Sequence, residues 1–350
     1  MFKIPETMKG VQLTGHGGAE MLQYRDDISV PIPSHNEVLI RVAAAGVNNT
    51  DINTRTAWYS KSDNNGKDAS WSGNALVFPR VQGADVCGIV VSVGDGVNKE
   101  RIGERVLIEP CLRVANGQEL DPPWYFGSEC DGGFAEFTVV SACHAYPIKS
   151  ELSDIELATF PCSYSTAENM LTRTKVTNKD KVLITGGSGG VGSAAIQLAK
   201  ARGAHVIAVT SPAKKHQLMN LGADEVVFRD DNLVEILGEN SVDVVIDLVA
   251  GIQWPQFLEV LKSKGRYAVS GAIGGALVEL DVRTLYLKDL SFYGCTVLEP
   301  GVFQNLINCI EQKKIIPVVA LTFPLKDIYT AQKVFQEKQH VGKIVLTVMD

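Results

Sequence analysis

No uninterrupted apolar stretch of the 350-residue chain approaches the roughly 20 residues that a membrane helix needs, so a membrane partner is not expected. The N-terminal stretch MFKIPETMKGVQLTGHGG also lacks the apolar core of a signal peptide. No basic block is present that would track a phosphate backbone, and the formal net charge of -7, from 33 basic and 40 acidic residues, speaks against nucleic acid as a partner. No C-x-x-C pair occurs either. The seven cysteines (Cys87, Cys111, Cys130, Cys143, Cys162, Cys295, Cys309) are scattered and odd in number, which fits free buried thiols in a reducing, cytoplasmic compartment better than disulfides or a structural zinc. Low-complexity sequence is missing as well. With 45% apolar and 21% charged residues the composition is that of a globular protein, and the length suits two domains better than one.

What is present changes texture along the chain. The first part alternates short β-rich runs (VLIRVAAAGV, GIVVSVG, RVLIEP, FAEFTVV) with glycine turns, the pattern of a small antiparallel barrel or sandwich without a long helix. Residues 154–175 read as helix on either side of Pro161. Strands and helices then alternate from KVLIT to RYAVSG, and the strands are continuously apolar, as in a parallel sheet covered on both faces. After Glu299 the order becomes helix, strand, helix, strand, a tail expected to return to the first domain. The polar segment 61–74 reads as an exposed loop. The expectation is an α/β chain with a β-rich domain and a doubly wound one.

Two clusters carry chemistry. After KVLIT comes GGSGGVG, in which Gly187, Gly189 and Gly192 stand at a strand-to-helix turn with Ser188, Gly190 and Val191 between them. Glycines there allow a tight turn, approach of a pyrophosphate to the backbone and close helix packing, and the helix N-terminus offers free N–H groups. The next strand, HVIAVT, ends at Thr210, followed by Ser211, Lys214 and Lys215. A carboxylate for the ribose hydroxyls of NAD is missing there, and two cations that could bind a 2′-phosphate are present, which favours NADP; the alternative is a solvated helix face. The second cluster, GVNNTD at 46–51, gathers polar groups directly after a run of small apolar residues.

Taken together, GVNNTD, FPRVQGADVCGIVVSVGDGV, RIGERV, DGGFAEFTVV, GGSGGVGSAAIQLAKARGA, LGADEVV and GKIVLTV give a chain that resembles the medium-chain dehydrogenase/reductase superfamily, the alcohol dehydrogenase and quinone oxidoreductase relatives. The resemblance implies a GroES-like catalytic domain built from residues 1–152 and 299–350, a Rossmann domain at 153–298, a substrate cleft where they meet, and pairing of two copies as a homodimer. Zinc-dependent members carry a cysteine ligand where this chain has Asn48, a histidine ligand where it has Ala84, and a third ligand that matches Cys162. An amide is a poor zinc ligand and Ala is none, so no metal is expected, although a degenerate set of Asp51, Asp85 and Cys162 is conceivable.

Without zinc, the chemistry implied is hydride transfer from NADPH to a carbonyl-conjugated small molecule, a quinone or an enone. The alternatives are a dehydrogenase with an altered metal site and a non-catalytic NADPH-binding redox sensor. Asn48 is expected to face ribose or substrate, with Asn49 or Thr50 capping the following helix and Asp51 in its first turn. The tyrosine that follows this motif in some relatives is Asn53 here, which leaves Tyr59, Tyr164 or water as proton source. Glu168 is either a general acid or a first-turn carboxylate. The resemblance further assigns Thr166 to the nicotinamide carboxamide, Lys343 to the cofactor phosphates, and Ala250, Gly251, Gly271 and Ala272 to loops edging the nicotinamide half.

Overall fold

Runs such as KVLI, HVIAVT and VDVVID set β-branched side chains at successive positions, which only a strand covered on both faces can bury. In the computed structural model, which describes residues 3–61 and 66–348, these runs form the centre of a parallel sheet. Its six strands lie in the order Glu225–Phe228, His205–Thr210, Lys181–Ile184, Val242–Asp247, Leu261–Val269 and Ser291–Gly294. Counted along the chain that order is 3-2-1-4-5-6, the order of dinucleotide-binding sheets, whose ligands sit at the carboxyl ends of the strands.

The chain divides into two compact units. One comprises residues up to Cys162, Pro317–Gln339 and the chain from Lys343 onward, and the other comprises Ser163–Ile316 and His340–Gly342. The expected boundaries at 152 and 299 are displaced. Helix Val302–Glu311, with Val302, Phe303, Leu306, Ile307 and Ile310 buried, stays with the parallel-sheet unit. The change of pattern at Glu299 marks the end of strand–helix alternation and not the end of packing.

In the first unit, the Glu37–Gly46 strand pairs antiparallel with Asp85–Val93 on one side and with Lys343–Thr347 on the other. The C-terminal strand is therefore inserted beside an N-terminal one, and Gly46 has Asp85 opposite it on one flank and Val345 on the other. Apolar side chains from these strands, among them Val38, Ile40, Val42, Val86, Val90 and Ile344, form the core. Cys111–Ala115 and Gln118–Tyr125 make a separate hairpin. Of the expected loop at 61–74, residues 62–65 lie outside the described residues. Its second half is exposed only in part: Ala69 and Ser70 are buried and Trp71 stacks on Tyr125 with ring centroids 4.9 Å apart, while Gly73 and Asn74 are exposed. No helix among the described residues is long and apolar enough to cross a membrane.

Candidate active site

The small residues before GVNNTD have a steric reason. A Cβ on Gly46 would lie 2.4 Å from Asp85 Oδ2, so the glycine leaves room for a carboxylate that is fully buried. From the inserted C-terminal strand, Lys343, 2% exposed, brings its Nζ to 2.7 Å from Asp85 Oδ2. The same ammonium donates to Asn48 Oδ1 and, at 3.1 Å, to the Val47 carbonyl. Asn48 Nδ2 donates to Asp85 Oδ2 at 2.8 Å. Asn48 is also the N-cap of helix Asn49–Arg55, and Asp51, three residues on, accepts the Asn48 backbone N–H at 2.8 Å as in a capping box.

Several expectations for this segment need correction. Both ends of the Asn48 amide are engaged, by Asp85 and by Lys343, so it is not a free donor for ribose or substrate; it, and neither Asn49 nor Thr50, is the cap. Asn49 is exposed and accepts from Lys338 Nζ at 2.9 Å, outside the cluster. Lys343 neutralises a buried carboxylate in the first unit and does not offer its ammonium to cofactor phosphates. Tyr164 is fully buried in the second unit, donating to the Ile316 carbonyl at 2.8 Å and accepting from Gln197 at 3.0 Å, which makes it a packing residue and not an acid catalyst. Glu168 lies well past the first turn of helix Pro161–Arg173 and pairs with Arg202 at 2.7 Å, so a structural ion pair accounts for it in place of the first-turn and general-acid roles.

One ammonium faces two carboxylates in this cluster, and the imbalance falls on Asp51. Burial pushes its carboxyl up to about 7, with the Asp85 charge adding to the rise and the Asn48 N–H and the Lys343 charge opposing it. The folded protein thus holds a proton on Asp51 that the unfolded chain releases near 3.8. Stability from this group is full at acid pH and declines as pH rises toward about 7, by an amount on the order of a few kcal/mol. Asp51→Asn, which cannot ionise, is expected to lose less stability than the natural protein between about pH 5 and about pH 8 in urea titrations. Parallel pH profiles for the two would refute a buried, titrating Asp51.

The positions that match zinc ligands do converge in the first unit, but their chemistry does not fit zinc. The Asn48 amide is committed and Ala84 has no donor. Cys162 alone keeps a ligating atom, its Sγ 3.0 Å from the Tyr125 hydroxyl, and one thiol does not make a zinc site. Asp85 accepts the Cys162 backbone N–H at 2.5 Å, and the Lys343 ammonium supplies the positive charge beside it. Among the described residues no group of three or more His, Cys, Asp or Glu side chains is placed to hold a metal.

A different phenol lies in the turn that follows the helix capped by Asn48. Tyr59, half-buried, donates to Thr50 Oγ1 at 3.1 Å, and burial raises its pKa above the ordinary value, with Cys162 and Asp51 close enough to add to the rise. It stays protonated and able to donate.

In the second unit the glycine turn joins strand Lys181–Ile184 to helix Gly190–Ala201. The residue with a left-handed backbone is Gly186, φ 58°, one earlier than the expected Gly187. A Cβ on Gly192 would lie 2.2 Å from the Gly186 carbonyl oxygen, whereas one on Gly189 would meet only that oxygen at 3.5 Å. Open space at the middle glycine and tight packing at the last are what a pyrophosphate on a helix N-terminus requires, so these residues fit a dinucleotide. Ser188 and Val191 flank the glycines, and the first-turn N–H groups start at Gly190.

Around this turn, Thr210 ends the next strand with a buried Oγ1 that has no partner among the described residues. Lys214 lies over the turn, its Nζ 3.4 Å from Ser188 Oγ and 2.9 Å from the His340 carbonyl oxygen. Burial lowers the Lys214 pKa, and the nearby Arg229 charge lowers it further, which exposes Arg229 as a second cation that motif reading missed. Lys215 instead sets its ammonium 6.0 Å from the Phe228 ring, and Ser211 caps the short turn between strand and helix without a side-chain bond. Ala250 and Gly251, at φ 54° and 73°, follow strand Val242–Asp247, and Gly271 and Ala272 follow Leu261–Val269. The first pair is held by Asp247, also missed, which accepts from Thr185, Tyr267 and the Val249 and Ala250 N–H groups. An acid ending the apolar run VDVVID was the available signal. Thr166 is half-buried on helix Pro161–Arg173.

A doubly wound sheet with a glycine cradle, joined in one chain to a β-rich unit with a buried polar cluster, defines a nucleotide-dependent oxidoreductase. The Alcohol dehydrogenase GroES-like domain family matches residues 34–150 and the Zinc-binding dehydrogenase family matches residues 190–312. The chain belongs to the medium-chain dehydrogenase/reductase superfamily. It is 29% identical to the quinone oxidoreductase of Homo sapiens over 354 residues, covering 97% of each chain. It is also 29% identical to the chloroplastic NADPH-dependent alkenal/one oxidoreductase of Arabidopsis thaliana, over 98% of this chain and 80% of that one. A Sinorhizobium meliloti 1021 protein assigned as an alcohol dehydrogenase has a crystal structure matching at TM-score 0.90, with 42% identity over 98% of this chain and 97% of that one.

Proposed function

We propose that this oxidoreductase uses NADPH to reduce quinones, or alkenes conjugated to a carbonyl, by direct hydride transfer without zinc. The observation that carries the reading is the buried Lys343–Asp85–Asn48 cluster, which puts a protein ammonium and a committed amide among the positions that would hold the metal. Oxidation of a simple alcohol needs a Lewis acid to stabilise its alkoxide. A conjugated acceptor needs only hydrogen-bond donors at the oxygen where charge develops. The similarity to a quinone oxidoreductase and to an NADPH-dependent alkenal/one oxidoreductase supports that substrate class. Lys214 and Arg229, with no carboxylate at the end of strand His205–Thr210, support the phosphorylated cofactor.

Bound NADPH would supply the hydride, that is, both electrons. Tyr59 would donate its phenolic proton to the reduced substrate and recover one from water, while the Thr50 hydroxyl holds the phenol in place. The chain's own groups therefore handle only the proton.

The test is cofactor oxidation, with NADPH and with NADH, against 1,4-quinones, α,β-unsaturated ketones and simple aldehydes, each with and without a chelator. Chelator-insensitive turnover of quinones or enones that prefers NADPH is expected, and Tyr59→Phe should lower kcat by about tenfold or more, the scale of a general acid. Chelator-sensitive aldehyde reduction, or tight NADPH binding with no turnover, would overturn the proposal.

A further inference from the structure

Strands Lys181–Ile184 and Val242–Asp247 lie side by side where the strand order 3-2-1-4-5-6 changes direction, and open sheets of this kind take their ligand at the carboxyl ends there. Asp247 sits at that end, fully buried, and the reaction proposed above leaves it without a part. Its two oxygens only accept. Thr185 Oγ1 and the Tyr267 hydroxyl donate to them at 2.6 Å each, and the Val249 and Ala250 N–H groups at 2.9 and 3.1 Å. Both hydroxyls are oriented from behind. The Leu248 N–H donates to Thr185 Oγ1 at 2.8 Å and the Trp254 indole N–H to the Tyr267 hydroxyl oxygen at 2.9 Å, which leaves each hydroxyl proton for the acid. Asp247 therefore fixes three consecutive N–H groups, that of Leu248 through Thr185 and those of Val249 and Ala250 directly.

What it fixes is strained. Ala250 has φ 54° and ψ -136°, outside the regions open to a residue with a Cβ, and only glycine takes such a conformation freely. Strain of this kind persists where the surroundings over-determine it, and it gathers at functional sites. The loops on either side press on the same turn. A Cβ on Gly186, in the phosphate cradle, would meet Val249 Cγ2 at 3.2 Å and Leu248 Cβ at 3.6 Å. On the other side the Gly274 N–H donates to the Val249 carbonyl at 2.7 Å, and a Cβ on Gly251 would lie 2.4 Å from the Gly274 carbonyl oxygen. The acid thus ties the glycine cradle, the turn after Asp247 and the loop at 271–275 into one piece. Glycine at 250 would hold this shape at no cost, whereas alanine keeps it only while the acid holds the turn.

We propose that Asp247 is a positioning residue for the cofactor: it holds the strained Ala250 turn against the glycine cradle, and the turn fixes the nicotinamide half. This inference rests on the cofactor reading given above and not on which acceptor is reduced.

The test is calorimetric binding of NADPH and of 2′-phospho-ADP-ribose, which lacks the nicotinamide, to the natural chain, Asp247→Asn and Asp247→Asn/Ala250→Gly. Asparagine keeps the shape of the acid but turns one acceptor into a donor, which frees Ala250 to relax. Asp247→Asn should bind NADPH weaker by about tenfold or more, the loss of a preorganised contact, and 2′-phospho-ADP-ribose within about twofold of the natural chain. Adding Ala250→Gly, which removes the strain without restoring the acid, should recover most of the NADPH affinity; a role confined to stability would give neither the split between the two ligands nor the rescue. Should Asp247→Asn fail to fold, Ala250→Val, whose branched side chain cannot take this φ and ψ, should show the same split. Natural NADPH affinity in Asp247→Asn or Ala250→Val, equal weakening of both ligands, or no recovery with Ala250→Gly would each overturn the inference and leave the cofactor reading standing. A natural chain that binds neither ligand would overturn both.

Discussion

Lys343→Met is expected to destabilise the protein by about 3–5 kcal/mol in urea unfolding, the scale seen when one partner of a buried ion pair is removed. Asp85 would be left fully buried with only the Asn48 amide and the Cys162 N–H to hold its charge. The argument predicts its own rescue. In a Lys343→Met/Asp85→Asn double variant the new amide can still accept from the Cys162 N–H, and Asn48, released from Lys343, can turn its amide to accept from the new one. Most of the lost stability should return, giving a coupling energy of about 2 kcal/mol or more in a double-mutant cycle. A single variant within about 1 kcal/mol of the natural protein would mean that the pair is not the closed, dry contact seen here.

The reach of sequence reading follows from where each partner lies. The parallel sheet was legible because strand and helix periods alternate locally, and the glycine turn because its role is written in six consecutive residues. The cluster at GVNNTD was legible as a place but not as a set of roles. Asn48 meets Asp85 across 37 residues and Lys343 across 295, so no local pattern could show that its amide is spoken for. The misassignment of Lys343 came from resemblance alone: matching GKIVLT to the family could not show that the strand insertion beside Glu37–Gly46 turns this ammonium onto Asp85. Tyr164 and Tyr59 were indistinguishable by spacing. What separates them is that Tyr164 saturates its hydroxyl inside its own unit, with Ile316 and Gln197, whereas Tyr59 meets a side-chain hydroxyl on the helix beside the cluster.

Gly189→Ala separates the demands of the fold from those of the cofactor. Gly189 has φ -73° and ψ 172°, a conformation open to any residue, and an added Cβ would meet only the Gly186 oxygen at an ordinary 3.5 Å. Nothing in the folded chain requires glycine there, so the variant should be as stable as the natural protein, or more so by about 0.4–1 kcal/mol through the lost freedom of the unfolded chain. The methyl would, however, project where a pyrophosphate must approach the helix N-terminus. The Kd for NADPH should therefore rise by about tenfold or more, a loss of about 1.4 kcal/mol or more. Gly192→Ala is the contrasting control: its Cβ would press to 2.2 Å against the Gly186 carbonyl oxygen, so stability itself should fall. If Gly189→Ala bound NADPH as tightly as the natural protein, the room around Gly189 would have another purpose, and the cofactor site would have to be sought elsewhere at the carboxyl ends of the same sheet.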